Sequence, residues 1–216
     1  MRPEKSVERA RGHHGLIEQG SLEASDIKMS HDLLAETSAG ILQEISATLQ
    51  ALCAADVGGL IDELVKPRQI FCLGAGRSGI LLRSFCMRLN HLGLKAYMAG
   101  GLPCPPAGAG DLIVVSSGSG SSASVLSVLR KARAAGALVA MFTASDAEAR
   151  ELEADLVIRV SAPAGLVNPN ERRSRQPMRS LFEQAVFICC ESVVCLLKDR
   201  LGQDYDTMAS RHANLE

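Results

Sequence analysis

A short run of serine and glycine, residues 116–122, constrains the fold of this chain more than any other feature. The apolar residues 112–115 before it predict a buried strand, and residues 123–132 after it predict a helix. Glycines let a backbone approach a ligand closely, while the first amides of a helix and its dipole favour an anion. The alternative is a flexible polar loop. We predict a phosphate site formed by Ser117, Gly118, Ser119, Gly120, Ser121 and Ser122.

Five short apolar segments predict strands, at 69–73, 95–98, 111–115, 138–142 and 156–160. Helical periodicity separates them, with predicted helices from Ser30, at 57–65, 80–92, 123–132 and 147–153, and from Met178. Apolar strands that alternate with helices predict a doubly wound parallel sheet. In the order 2-1-3-4-5, the bends after strands one and three meet at one crevice.

The bend after the first strand, residues 74–79, matches the spacing G-x-G-x-x-G. A dinucleotide site also needs an acidic residue at the end of the second strand, and residues 95–101 contain no Asp or Glu. We therefore predict no nicotinamide cofactor. Ser78 is expected to cap the following helix. Arg77 either holds a phosphate or sugar oxygen or is a surface or interface arginine.

Composition excludes several classes of protein. The 23 basic and 24 acidic residues nearly balance, which argues against binding to nucleic acid or to a membrane surface. We find no apolar run of about 18 residues, so we expect no membrane span. Seven cysteines without a C-x-x-C pair indicate a reduced cytoplasmic protein with neither disulfides nor a metal site.

The chain is expected to contain one domain. Residues 1–27 are polar without a clear period and are predicted to be a disordered extension, while residues 28–216 form a single domain with flanking helices. Residues 162–177, rich in arginine and proline, are predicted to be a mobile flap.

Three titratable residues have two interpretations each. Glu183, in the first turn of the helix after Met178, either complements the helix dipole or is a general base at the crevice. His91 lies 13 residues after Ser78 on one predicted helix, about 20 Å away at helical rise. It can reach a phosphate site only across a subunit interface, as can His212, and each is otherwise a structural hydrogen-bonding group.

Several stretches together resemble one family, the 6-phospho-3-hexuloisomerases of the SIS (sugar isomerase) domain group. The resemblance runs from about Leu33 to the C-terminus, and the RLxHLG, PMxSLFEQ and HANLE motifs are its most specific parts. The stretches that carry it are residues 74–79, 87–93, 117–120, 176–178, 180–184 and 211–216. It implies a three-layer α/β/α sandwich with a five-stranded parallel sheet in flavodoxin-like order, plus N-terminal and C-terminal helices.

The resemblance also implies an activity. It implies interconversion of D-arabino-3-hexulose 6-phosphate and fructose 6-phosphate, in the ribulose monophosphate pathway of formaldehyde assimilation. It implies a homotetramer without cofactors, with Ser78 close to the phosphate and Glu183 as the residue that transfers the proton. The chain departs from the family pattern at Gly101, where the pattern has a glutamate, at Ser121 and Ser122, where it has glutamate and threonine, and at Arg179, where it has a glycine. An isomerase of another phosphosugar and a non-catalytic sugar-phosphate binder therefore remain alternatives.

Overall fold

The computed structural model describes residues 24–118, 122–145, 149, 153–162 and 174–214. Two compact units divide the chain, Met1–Thr37 and Ser38–Glu216. In the first unit, residues 24–37 are helical, and Leu33 and Leu34 are exposed. The prediction of disorder for residues 1–27 falls mostly outside the described residues. The single domain over 28–216 stays a prediction.

The second unit contains a parallel sheet of five strands. The strands are β1 (Ile70–Gly74), β2 (Ala96–Met98), β3 (Leu112–Ser116), β4 (Leu138–Thr143) and β5 (Leu156–Arg159). Their order is β2-β1-β3-β4-β5 and every neighbouring pair is parallel, which confirms the predicted topology. The central strand β3 is buried at all five positions, as expected for a sheet covered on both faces.

The described residues form six helices. They are α1 (Ala24–Gln50), α2 (Ala54–Leu64), α3 (Gly76–His91), α4 (Ala123–Ala134), α5 (Ser180–Arg200) and α6 (Tyr205–Ala209). Helix α1 begins six residues before the predicted start at Ser30. The helix predicted at 147–153 lies largely outside the described residues, and so does the flap predicted at 162–177.

Alternate residues of each strand face two separate cores. On β3, Leu112 and Val114 join a core with α2, α3 and α5, whereas Ile113 and Val115 join a second core with α4. The sheet therefore forms the middle layer of a three-layer α/β/α sandwich. Helix α3 follows β1 onto one face and α4 follows β3 onto the other, so the strand order reverses direction between β1 and β3.

Two glycines let β1 turn sharply into α3. A Cβ on Gly79 would lie 2.5 Å from the carbonyl oxygen of Gly74, and one on Gly74 would lie 2.8 Å from the amide nitrogen of Gly79. Gly76 between them has a φ of +56°, a conformation that side chains disfavour. The G-x-G-x-x-G spacing is thus explained by backbone packing.

One local prediction was wrong. Ala75, rather than Ser78, is the N-cap of α3, and Ser78 lies buried in the first turn.

Helix α5 is long and apolar enough, by length and composition, to cross a membrane. Its apolar side chains instead pack against α2 and α3 in the core.

We expect Gly79→Ala to lower the free energy of unfolding by about 1–3 kcal/mol, because the added methyl group overlaps backbone atoms that cannot move aside. Urea denaturation measures the change. Gly58→Ala is the matched control: it lies inside α2 with no atom within 4 Å of the added Cβ. It should raise the free energy by about 0.5–1 kcal/mol. Equal stability of Gly79→Ala and the wild type would contradict this account.

Candidate active site at the crevice between β1 and β3

The two predicted anion-binding bends lie side by side. The last residues of β1 and β3, Gly74 and Ser116, are register partners, so the chain leaves both strands at neighbouring points on one edge of the sheet. The first turn of α3 follows one bend and the first turn of α4 follows the other. Two positive helix ends therefore face the same crevice, which favours an anion there.

Glu183 lies at this crevice and forms an ion pair with Arg77. Its Oε2 lies 3.0 Å from Nε of Arg77, in the first turn of α3. The Arg77 Nη1 also donates a hydrogen bond of 3.0 Å to Oγ of Ser180. The Glu183 side chain is 13% exposed, whereas that of Arg77 is 58% exposed. A mostly buried carboxylate thus faces a cation that remains accessible to solvent and to a ligand.

The serine bend contacts the same turn of α5. Ser117 continues the β3–β4 ladder by donating its backbone N–H to the carbonyl of Phe142 at 3.0 Å. The next residue, Gly118, lies against the ring of Phe182: a Cβ there would be 3.1 Å from Cδ1. Phe182 is 1% exposed and directly precedes Glu183, so packing ties the position of the carboxylate to that of the bend.

Of the predicted phosphate-binding residues, Arg77, Ser78, Ser117, Gly118 and Ser122 lie at the two bends. The Ser122 hydroxyl lies 2.9 Å from that of Ser124. The other predicted members of the serine bend, residues 119–121, lie outside the described residues.

The structure brings His91 and His212 together, but at the opposite end of α3. Their ring centroids are 5.1 Å apart. The Arg211 Nη1 donates a 2.8 Å hydrogen bond to the carbonyl of His91, and Arg88 Nη1 lies 3.4 Å from Nδ1 of His91. Because Arg77 lies in the first turn of α3 and His91 is its last residue, neither histidine belongs to the crevice of its own chain.

Among the described residues, neither the cysteines nor the potential metal ligands form a disulfide or a metal site. All seven cysteines are free. Burial raises the pKa of the Cys189 thiol to about 11, and it also raises the pKa of Cys190. These thiols therefore stay protonated and pack as hydrophobic side chains. Within the described ranges, no group of three His, Cys, Asp or Glu side chains is placed to hold a metal ion.

Comparison with known proteins shows the family of this chain. The SIS domain model matches residues 63–169. A protein of Bacillus subtilis (strain 168) named 3-hexulose-6-phosphate isomerase is 35% identical over 181 residues, which cover 84% of this chain and 98% of the relative. One of the same name from Mycobacterium gastri is 35% identical over 190 residues, covering 88% and 95%.

A solved structure is also similar to this chain over most of its length. The protein from Methanococcus jannaschii, whose structure was used to infer a function of 3-hexulose-6-phosphate isomerase, is 30% identical to this chain. It superposes with a TM-score of 0.72 and covers 84% of this chain and 99% of its own. This chain belongs to the 3-hexulose-6-phosphate isomerase family of SIS domain proteins.

At two positions where the chain departs from the family pattern, the structure shows how the different residue is placed. At Gly101, where the family pattern has a glutamate, a Cβ would lie 3.0 Å from the carbonyl oxygen of Met98. The backbone thus packs where a side chain would begin. Arg179 is the N-cap of α5, and its buried Nε has no hydrogen-bond partner among the described residues. A cation therefore lies four residues before Glu183.

Sequence reasoning missed two residues of the crevice. Ser180 holds Arg77, yet nothing in its spacing indicates that contact, because it depends on how α5 crosses α3. Ser116 is 2% exposed, and its Oγ has no hydrogen-bond partner in the part of the chain that the structure describes. Alternation along β3 turns it toward the face on which α3 and α5 pack. Its polarity after four apolar residues was the available signal.

We expect inorganic phosphate to raise the thermal unfolding midpoint of the wild type, by an amount that grows with phosphate concentration. Gly118→Val should lose this increase, because the added side chain meets the Phe182 ring and displaces the bend. Differential scanning fluorimetry measures each variant against its own phosphate-free baseline. Gly58→Ala serves as the control and should keep the increase. The same increase in Gly118→Val would remove this bend from the anion site.

Proposed function

We propose that this protein is a 3-hexulose-6-phosphate isomerase. It would interconvert D-arabino-3-hexulose 6-phosphate and fructose 6-phosphate in the cytoplasm, in the ribulose monophosphate pathway of formaldehyde assimilation. The observation that carries the proposal is the Glu183 carboxylate, which Arg77 holds beside the bends that follow β1 and β3. The family of the chain supports the choice of reaction.

Substrate binding begins with the phosphate group. We assign it to the serine bend, Ser117 to Ser122, with Ser78 and the first amides of α3 nearby. The phosphate would be held by backbone N–H groups and hydroxyls at the positive ends of two helices. This anchoring positions the reacting carbons of the sugar at Glu183, because Gly118 contacts the residue directly before it.

Glu183 is assigned the proton transfer. Moving the carbonyl from C3 to C2 requires removal of the proton on C2, formation of an enediol between C2 and C3, and return of a proton to C3. One carboxylate can serve both carbons when water is excluded. The low exposure of the Glu183 side chain meets that requirement.

Arg77 is assigned two partners in succession. In the free protein it neutralises Glu183, and its exposed guanidinium lies at the mouth of the crevice. A bound sugar phosphate would offer it a second anion, either the phosphate or the oxygen that becomes negative in the enediolate. Movement of Arg77 toward the substrate would leave Glu183 without its counter-ion and make it a stronger base.

His91 and His212 are assigned to the site of a neighbouring subunit. They lie together at the end of α3 that is remote from their own crevice. A homotetramer that places this end against the crevice of another copy would complete each site with two imidazoles. They would then steady the enediolate oxygen, as neutral histidines can.

A second candidate is an isomerase of another phosphosugar, such as a pentose or heptose phosphate. Arg179 and Gly101 favour it, because each changes the charge or size of a group near the crevice relative to the family pattern. Assays of ketose interconversion over a panel of sugar phosphates separate the candidates. Turnover confined to pentose or heptose phosphates would overturn the first candidate, and binding without turnover would indicate a non-catalytic sugar-phosphate binder.

We expect Glu183→Gln to lower kcat about 10²- to 10⁴-fold, since the amide cannot accept the proton, while the sugar phosphate still binds. A coupled assay of fructose 6-phosphate formation measures turnover, and calorimetry measures binding. Glu191→Gln is the control, because Glu191 lies on the same helix but about 12 Å further along it, and it should retain wild-type turnover. Undiminished turnover in Glu183→Gln would remove Glu183 from its assigned role.

A further inference from the structure

A partly buried polar network joins α1 to the residues just before α5 and is centred on Glu44. Glu44 Oε2 accepts hydrogen bonds from Ser174 Oγ at 2.8 Å and from Gln176 Nε2 at 3.2 Å. Glu44 Oε1 accepts one from the backbone N–H of Arg175 at 2.9 Å. One carboxylate thus binds three consecutive residues that lie about 130 positions away in the chain.

We call residues 174–178 the strap, because they connect this network directly to α5. Gln176 is 6% exposed, and its Oε1 accepts a 2.8 Å hydrogen bond from Nε2 of Gln184. At the end of the strap, Met178 has a φ of +59°, a conformation that disfavours a side chain. The next turn is closed by a bond from the Ser180 N–H to the carbonyl of Pro177.

We propose that Glu44 is a positioning residue for Glu183: by binding the strap, it fixes the first turn of α5 on which Glu183 lies. This inference rests on the proposed role of Glu183 in proton transfer. The path has two short links. One is the chain from Gln176 to Ser180, and the other is the hydrogen bond that Gln184, the residue after Glu183, donates to Gln176.

The charge of Glu44 suits this role. Burial raises its pKa, but hydrogen bonds from Arg175, Ser174 and Gln176 and the nearby Arg175 charge outweigh burial and lower the pKa below its ordinary value. The carboxylate is therefore ionised at neutral pH. Every contact that the strap makes with it is then a charge-assisted hydrogen bond.

The strap is needed most when substrate binds. In the free protein Arg77 also holds Glu183, but in the proposed reaction Arg77 turns to the sugar phosphate. Glu183 would then keep its place only through the packing of Phe182 and through the strap. A misplacement of about 1 Å at a catalytic group is enough to lower a rate about 100-fold.

Glu44→Gln is the first test. The amide oxygen can still accept from the Arg175 N–H, but the amide nitrogen faces the donor group of Gln176 and breaks that bond. We expect kcat to fall about 10- to 100-fold, with KM changed less than about twofold, since the phosphate site is untouched. Wild-type kcat, or a change confined to KM, would overturn the proposal.

Exchanging the side chains of Glu44 and Gln176 distinguishes the loss of their contact from general unfolding of a variant. Gln176→Glu alone places two carboxylates together and should also lower kcat. In the double variant Glu44→Gln/Gln176→Glu, the new amide donates to the new carboxylate, which still accepts from Gln184, so kcat should recover to within about threefold of the wild type. A double variant as slow as the slower single variant would overturn the proposal.

Glu63→Gln is the matched control. Glu63 is a carboxylate of α2 whose Oε1 accepts a 2.8 Å hydrogen bond from Nζ of Lys66 on the exposed surface. We expect kcat within about twofold of the wild type, as for a substitution away from the reacting groups. A loss of kcat equal to that of Glu44→Gln would show that the loss is not specific to the carboxylate that binds the strap, and would overturn the proposal.

Amide hydrogen exchange, measured without substrate, tests this inference independently of the proposed reaction. In Glu44→Gln, we expect amide hydrogen exchange of residues 180–184 to accelerate about tenfold or more, and in the double variant to return toward the wild-type rate. Unchanged exchange would overturn the inference even if the protein is a proven isomerase. If the wild type shows no turnover but exchange in Glu44→Gln accelerates as expected, the proposed reaction is overturned. The inference that Glu44 fixes the first turn of α5 is then retained.

Discussion

The pairing of β1 with β3 is the constraint on which the rest of the structure depends. The strands run parallel in register from Ile70 and Leu112 to Gly74 and Ser116, so the chain leaves both at the same edge of the sheet. Helices α3 and α4 then pack on opposite faces. A crevice must open between two helices that diverge in this way, and their positive ends line it.

Helix α5 supplies the carboxylate of this crevice, Glu183. The apolar side chains of α5 pack against α2 and α3, and this packing holds Phe182 under Gly118 and Glu183 beside Arg77. The ion pair is asymmetric, because its carboxylate is largely enclosed and its guanidinium faces solvent. An incoming anion can therefore compete for the arginine without first displacing the carboxylate. In the proposed reaction, substrate binding would take Arg77 away from the carboxylate of Glu183.

Long-range polar contacts decide where that carboxylate lies. Glu44 and the strap connect the middle of α1 to the start of α5, while Ser180 connects α5 to α3 through Arg77. None of these partners is close in sequence. Each hydrogen bond is local in space and removes the freedom of one helix to slide against another, which hydrophobic packing alone restricts less strictly.

Apolar runs and glycine spacing are local and periodic, so the sequence predicted the five parallel strands and the bends at 74–79 and 116–122. The order of the strands came from the resemblance to a family. The sequence also indicated Glu183 and Arg77 as candidates, but it left each with a second interpretation. The folded structure shows that they pair, that Ser180 binds Arg77, that Glu44 binds the strap, and that Ala75 rather than Ser78 caps α3. It also placed His91 beside His212, away from the crevice of their own chain. Such contacts join side chains about 100 or more positions apart, and the angle at which helices cross, which no local pattern encodes, selects them.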